Sequence, residues 1–162
     1  VKKNATVDDT VKLIQQTAEE YKESKAVNVL LKRIDKDQSK NPGDWLFSLF
    51  SIIFHNTEYE HDESGKEQIK TPDRFLLKDK KGDCDDYTVL LSAVLRRLNV
   101  KHFVKIVKYD RNKGWAHVYV VVPAMRKGGK KTMIVLDLVL AKNNGGLKMF
   151  NQEVSHVESK MF

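Results

Sequence analysis

The chain has 162 residues, a length that suits one domain. Apolar residues at 41% supply a core, and charged residues at 31% stop short of the disordered range. Lys and Arg outnumber Asp and Glu by 29 to 22, yet no apolar run approaches the roughly 20 residues a helix needs to span a bilayer. The basic surplus raises the question of an anionic partner. The single cysteine, Cys84, excludes an internal disulfide, so its thiol is either core filler or a reagent. The opening VKKNATVDD, with no Met and no apolar signal core, fits a trimmed cytoplasmic protein or the mature part of an exported one.

In chain order, Val7, Val11, Ile14, Ala18 and Tyr21 recur at helical spacing over 6–23, and Thr6 with Asp9 has capping-box character. Val27, Leu30, Leu31 and Ile34 predict a second helix. A turn over 37–44 leads to a third helix, WLFSLFSIIFH, with Asp44 as its expected cap. That helix is apolar on nearly every side, so it should be buried. Residues 55–83 read as a long irregular stretch, either a gate over a site or a connection, with a short helical turn from Thr71-Pro72 to Leu77. After Gly82-Asp83, the residues Tyr87, Leu90, Leu91, Val94, Leu95 and Leu98 mark one face of a helix that Asn99 can close. Strands follow at 102–109, 115–123 and 132–140, joined by DRNKG and AMRKGGK, and 143–162 has no clear period. Helices first and an antiparallel sheet second make an α+β domain.

Cys84 lies on the buried stripe of the best-defined helix, at its amino-terminal end. The helix dipole there favours thiolate, whereas Asp83, Asp85 and Asp86 repel it, so a nearby imidazolium is needed. Asp137 is an anomalous carboxylate within MIVLDLVLA and requires a partner. A hairpin with His117 opposite Asp137 turns at residue 127, inside the loop already expected, and puts both side chains on one face. Thiol, imidazole and carboxylate then converge as a nucleophile, a base and its orienting group. The acids around Cys84 also suit a helix start, and the cluster His55, Glu58, Glu60, His61, Asp62 has no metal-ligand spacing and reads as a solvated loop. The basic loops carry no stacking platform or DNA-reading motif, which argues against nucleic acid as the partner.

The ordered set of GDCDD opening a helix, the strand WAHVYVVV and the strand IVLD resembles the transglutaminase-like superfamily of cysteine enzymes. TPDRFLLKDKKGDCDDYTVLLSAVLRRLNV is similar to the nucleophile region of its bacterial and phage-borne members, and the resemblance covers about 44–140. It implies a papain-like core, one domain over 1–162 with a catalytic part at 44–140 and a helical part at 6–43, acting as a monomer. It implies Cys84 as nucleophile, His117 as general base and acid, and Asp137 as the group that orients the imidazole. The activity implied is hydrolysis of amide bonds in a protein or peptide through an acyl-enzyme. Transfer of the acyl group to an amine, or a non-catalytic binding module on the same fold, are the alternatives. No metal is required, although some relatives bind calcium near the position of Asp85 and Asp86. The Gln that supplies an oxyanion donor in papain-like enzymes has no counterpart at Lys78–Lys81, so Trp45, Tyr59 and Tyr119 are the candidates to partner the Cys84 N–H. Phage-borne relatives add a virion-associated setting to the two compartments above.

Overall fold

The computed structural model describes residues 6–34, 41–63 and 68–162. Helix α1 (Val7–Glu20) starts at the expected capping box: Asp9 N–H donates to Thr6 Oγ1 at 3.2 Å and Thr6 N–H to the Asp9 carboxylate at 3.1 Å. Helix α2 (Lys25–Arg33) is capped by Ser24. Helix α3 (Pro42–Asn56) starts earlier than expected. Asn41, not Asp44, is its cap, accepting the Gly43 N–H at 3.0 Å, and Pro42 fills the first helical position where its missing N–H costs nothing. The part of the expected turn at 37–40 lies outside the described residues.

The stretch 55–83, read from the sequence as irregular, holds ordered elements. Strand β1 (Glu58–Tyr59) pairs in parallel with β2 (Lys81–Gly82), and between them a helical turn opened by Pro72 continues as a π-helix over Arg74–Asp79. Helix α4 (Cys84–Arg97) follows, then β3 (Phe103–Lys108), β4 (His117–Met125) and β5 (Lys131–Leu136), helix α5 (Leu138–Asn144), a 3-10 turn over Gly146–Met149, and β6 (Glu158–Met161). The second sheet is antiparallel in the order β5-β4-β3-β6, and the fold is α+β.

Two helices exchange the roles their sequences suggest. Helix α3 buries one face, Trp45, Leu46, Leu49, Phe50 and Ile53, and leaves Phe47 40% exposed. Helix α4 is buried all round from Asp86 to Leu95, polar residues included. Each polar group there has a partner, as burial demands. Thr88 Oγ1 donates to the Cys84 carbonyl at 2.7 Å, Ser92 Oγ lies 2.8 Å from His102 Nε2, and Asp86 accepts the Lys70 N–H at 2.8 Å and the Asp83 N–H at 3.0 Å.

The even-numbered residues Val120, Val122, Ile134 and Leu136 join Leu90, Leu91 and Leu95 of α4 in the main core. A second cluster joins Val11 and Ile14 of α1 to Val89, Val104, Ile106 and Val118, and Cys84 packs against it. The odd-numbered face, with Val107, Tyr119, Val121 and Val135, is covered by Val154. The tail is therefore not irregular filler. It crosses this second face and ends as β6 on the edge of β3. Among the described residues, no helix is long and apolar enough to cross a membrane.

Candidate active site

The turn before α4 is tightly held. Asp83 is the cap, its Oδ1 accepting the N–H groups of Asp85 at 3.1 Å and Asp86 at 3.4 Å, while its own N–H donates back to Asp86. Gly82 is pressed against this box: an added Cβ would stand 2.7 Å from Asp86 Oδ2 and 2.9 Å from Phe75 Cε2. Cys84 thus enters at the first helical position, half-buried, on a turn fixed from three sides.

Cys84 faces a cleft of about 540 Å³, whose lining includes Tyr59, His61, Tyr109, Trp115 and His117. His117, the first residue of β4, lies with Nε2 2.7 Å from Asp137 Oδ2, and both side chains are buried. That leaves Nδ1 as the ring nitrogen free to serve the thiol. The hairpin register differs from expectation. Val120 pairs with Leu136 and Val121 with Val135, two residues along from the alignment that sets His117 opposite Asp137. The parity is unchanged, so the two residues remain on one face and meet diagonally. β5 also ends at Leu136, short of the expected 140. Asp137 is the cap of α5, its Oδ1 accepting the Leu140 N–H at 3.1 Å. One carboxylate thereby starts a helix and holds an imidazole, which accounts for a buried acid in an apolar stretch.

Electrostatics favour a protonated thiol. Burial pushes Cys84 well above the usual cysteine range, the Asp85 and Asp83 carboxylates add to it, and a hydrogen bond from the Val118 backbone opposes them. Burial, with Asp86 and Asp85 beside it, pushes the Asp83 carboxyl up to about 8.

The three oxyanion candidates separate. Tyr59 lines the cleft. Trp45 does not: it is packed in the helical core on α3. Tyr119 is buried with its hydroxyl donating to Glu153 at 2.8 Å, and its ring lies tilted against His117 at 5.4 Å, a position that supports the imidazole. Those two placements correct the expectation for Trp45 and Tyr119. Sequence reasoning passed over Tyr109, which stacks on His117 at 6.4 Å, and Trp115, held between Lys108 at 4.8 Å and Lys160 at 5.3 Å. The available signal was their place at either end of the loop that precedes the histidine.

Asp85 and Asp86 do not suit a shared calcium ion. Adjacent helical residues point apart, and Asp86 spends its oxygens on two backbone N–H groups. Among the described residues no group of three or more His, Cys, Asp and Glu is arranged to hold a metal. Glu58 and Glu60 each lie 3.9 Å from Lys81.

Comparison with known proteins adds a family. No curated protein matches the chain. A crystal structure described as "a Putative Cysteine Protease from Cytophaga hutchinsonii" aligns over 90% of this chain and 50% of that one, at 17% identity and a TM-score of 0.48. The chain thus spans about half the length of that protein. A family model described as "Transglutaminase-like domain" matches residues 1–142, most of the sequence. On that match, the chain belongs to the family of transglutaminase-like domains.

Proposed function

We propose that the protein is a thiol-dependent hydrolase of amide bonds in a peptide or protein, working through an acyl-enzyme on Cys84, His117 and Asp137. The observation that carries this reading is the 2.7 Å contact between His117 Nε2 and Asp137 Oδ2, beside a cleft that Cys84 and His117 share. Asp137 fixes the tautomer with the proton on Nε2, so Nδ1 accepts the thiol proton as sulfur attacks the carbonyl carbon. The C–N bond then breaks as the imidazolium returns that proton to the leaving amine, and water repeats the sequence on the thioester. The resting thiol is held protonated, so His117 takes its proton during attack and does not store a thiolate beforehand.

The test is alkylation by iodoacetamide from pH 5 to 10, in the wild type and in His117→Ala. A protonated, buried thiol should show no plateau at low pH, but its rate at neutral pH should fall at least tenfold in the variant. Equal rates in both proteins would rule the reading out. Transfer to an amine differs only in which acceptor meets the acyl-enzyme, and product analysis with added primary amine separates it from hydrolysis.

A further inference from the structure

We propose that Tyr59 is the second oxyanion donor of this site, its phenol O–H and the Cys84 N–H together receiving the oxygen of the tetrahedral intermediate. This rests on the acyl-enzyme reading above. It adds a residue whose role nothing in the family match specifies.

Strand β1 is two residues long, so its position comes from what holds it. Glu58 N–H donates to the Lys80 carbonyl at 2.8 Å and Glu60 N–H to the Gly82 carbonyl at 2.9 Å. Tyr59 is thereby set level with Gly82, two residues ahead of the nucleophile. The strand's entry is anchored as well. Thr57 Oγ1 lies 2.9 Å from Tyr87 Oη, less than one turn beyond Cys84 on α4, and Lys142 of α5 donates to the carbonyls of Phe54 and Thr57. Tyr59 and Cys84 therefore ride on one backbone unit. That is the rigidity an oxyanion donor needs, because its contribution depends on being aimed before the charge develops.

Tyr59 Oη lies 3.2 Å from His61 Nδ1, and in the tautomer with the ring proton on Nδ1 the phenol accepts there and keeps its own proton for another acceptor. Burial, with Cys84, Asp83 and Asp62 nearby, raises its pKa, so the donor stays protonated through neutral pH. Its location also suits the geometry of attack. The amides of Asp85 and Asp86 go to Asp83 Oδ1 and that of Tyr87 to the Asp83 carbonyl, which leaves the Cys84 N–H as the first-turn donor the cap does not use. Tyr59 lies on this helix-terminus side of the cleft. Tyr109 stacks on the imidazole, and the Tyr119 hydroxyl is engaged by Glu153.

In the step itself, sulfur forms the C–S bond and the carbonyl π pair moves to oxygen. The thiol proton goes to His117 Nδ1, while Tyr59 only donates a hydrogen bond and loses no proton. Collapse restores the carbonyl and expels the leaving group.

The experiment compares two reactions of the same thiol. Acylation by p-nitrophenyl acetate passes through an oxyanion, whereas alkylation by iodoacetamide displaces iodide without one. In Tyr59→Phe, acylation should fall by about a hundredfold and alkylation should stay within twofold of the wild type. Acylation of Tyr59→Phe at the wild-type rate would overturn the assignment. So would parallel loss of both reactions, which marks a structural role, or wild-type acylation no faster than Cys84→Ala. Failure of the acyl-enzyme reading shows separately, as alkylation that ignores His117.

Discussion

Asp137 divides its carboxylate between two duties, with Oδ2 2.7 Å from His117 Nε2 and Oδ1 on the Leu140 N–H at 3.1 Å. An amide has one acceptor oxygen where a carboxylate has two. In Asp137→Asn the oxygen can keep the helix cap while the NH2 donates to Nε2, which forces the proton onto Nδ1 and denies the thiol its base. The expected outcome is a thermal midpoint close to wild type with His117-dependent thiol reactivity down by at least about tenfold. Asp137→Ala loses both contacts and should also cost about 1 kcal/mol of stability from the cap. Urea unfolding and iodoacetamide kinetics on both variants measure the two effects.

Asp85 is a lever on the thiol. Its carboxylate is the largest charge contribution holding Cys84 protonated, after burial. Asp85→Asn should lower the thiol pKa and raise the alkylation rate severalfold at pH 7, with the pH–rate curve displaced to lower pH. An unmoved curve would count against that charge as the cause.

Asp83 predicts a pH dependence of stability. Its carboxyl sits at about 8 in the folded protein against 3.8 for the free group, so between those values the folded state binds more protons than the unfolded chain. The stability this group contributes is fully present below pH 4 and declines as pH rises toward 8, and because Asp86 is raised alongside it the effect belongs to the pair. Asn keeps the cap and removes the charge. Asp83→Asn should therefore lose less stability than wild type between pH 5 and pH 8, as read by urea unfolding at the two values.

Gly82→Ala tests the packing of the nucleophile turn. The new methyl meets Asp86 Cβ at 2.8 Å as well as its Oδ2, and Phe75 from the other side. Neither neighbour is free to give way, since Asp86 is hydrogen-bonded and Phe75 is fully buried. Overpacking of this kind costs about 1–3 kcal/mol, and thiol reactivity should fall with it, because relief requires moving the turn that carries Cys84.

The site was legible in the sequence where local rules decide it. The lone thiol marks a helix start, and the histidine on the next hairpin and the acid needing a partner lie where one face of a strand pair can gather those two. Parity survived the two-residue register difference because side chains alternate with period two. What was not legible was long-range. The pattern of α4 suggested one buried stripe, yet α1, α5 and the sheet enclose it, and only hydrogen bonds such as Ser92 to His102 make its polar positions tolerable. α3 looked fit for full burial, but Phe47 stays exposed among the described residues and meets the ring of Phe150 edge-on at 5.2 Å. Asp137 read as part of a strand because nothing within IVLDLVLA marks a helix start apart from the aspartate itself.

The family match stops at residue 142, while the structure continues through Val154 on the odd-numbered face and β6 along the rim of β3. A fragment cut at that boundary would strip Val107, Val121 and Val135 of their cover and turn β3 into a bare edge, ready to recruit strands from other molecules. It would also remove Glu153 from Tyr119, and with it the brace behind the imidazole. The last twenty residues thus shield one face and one edge of the sheet, and a shortened version of this protein should be judged first by its aggregation.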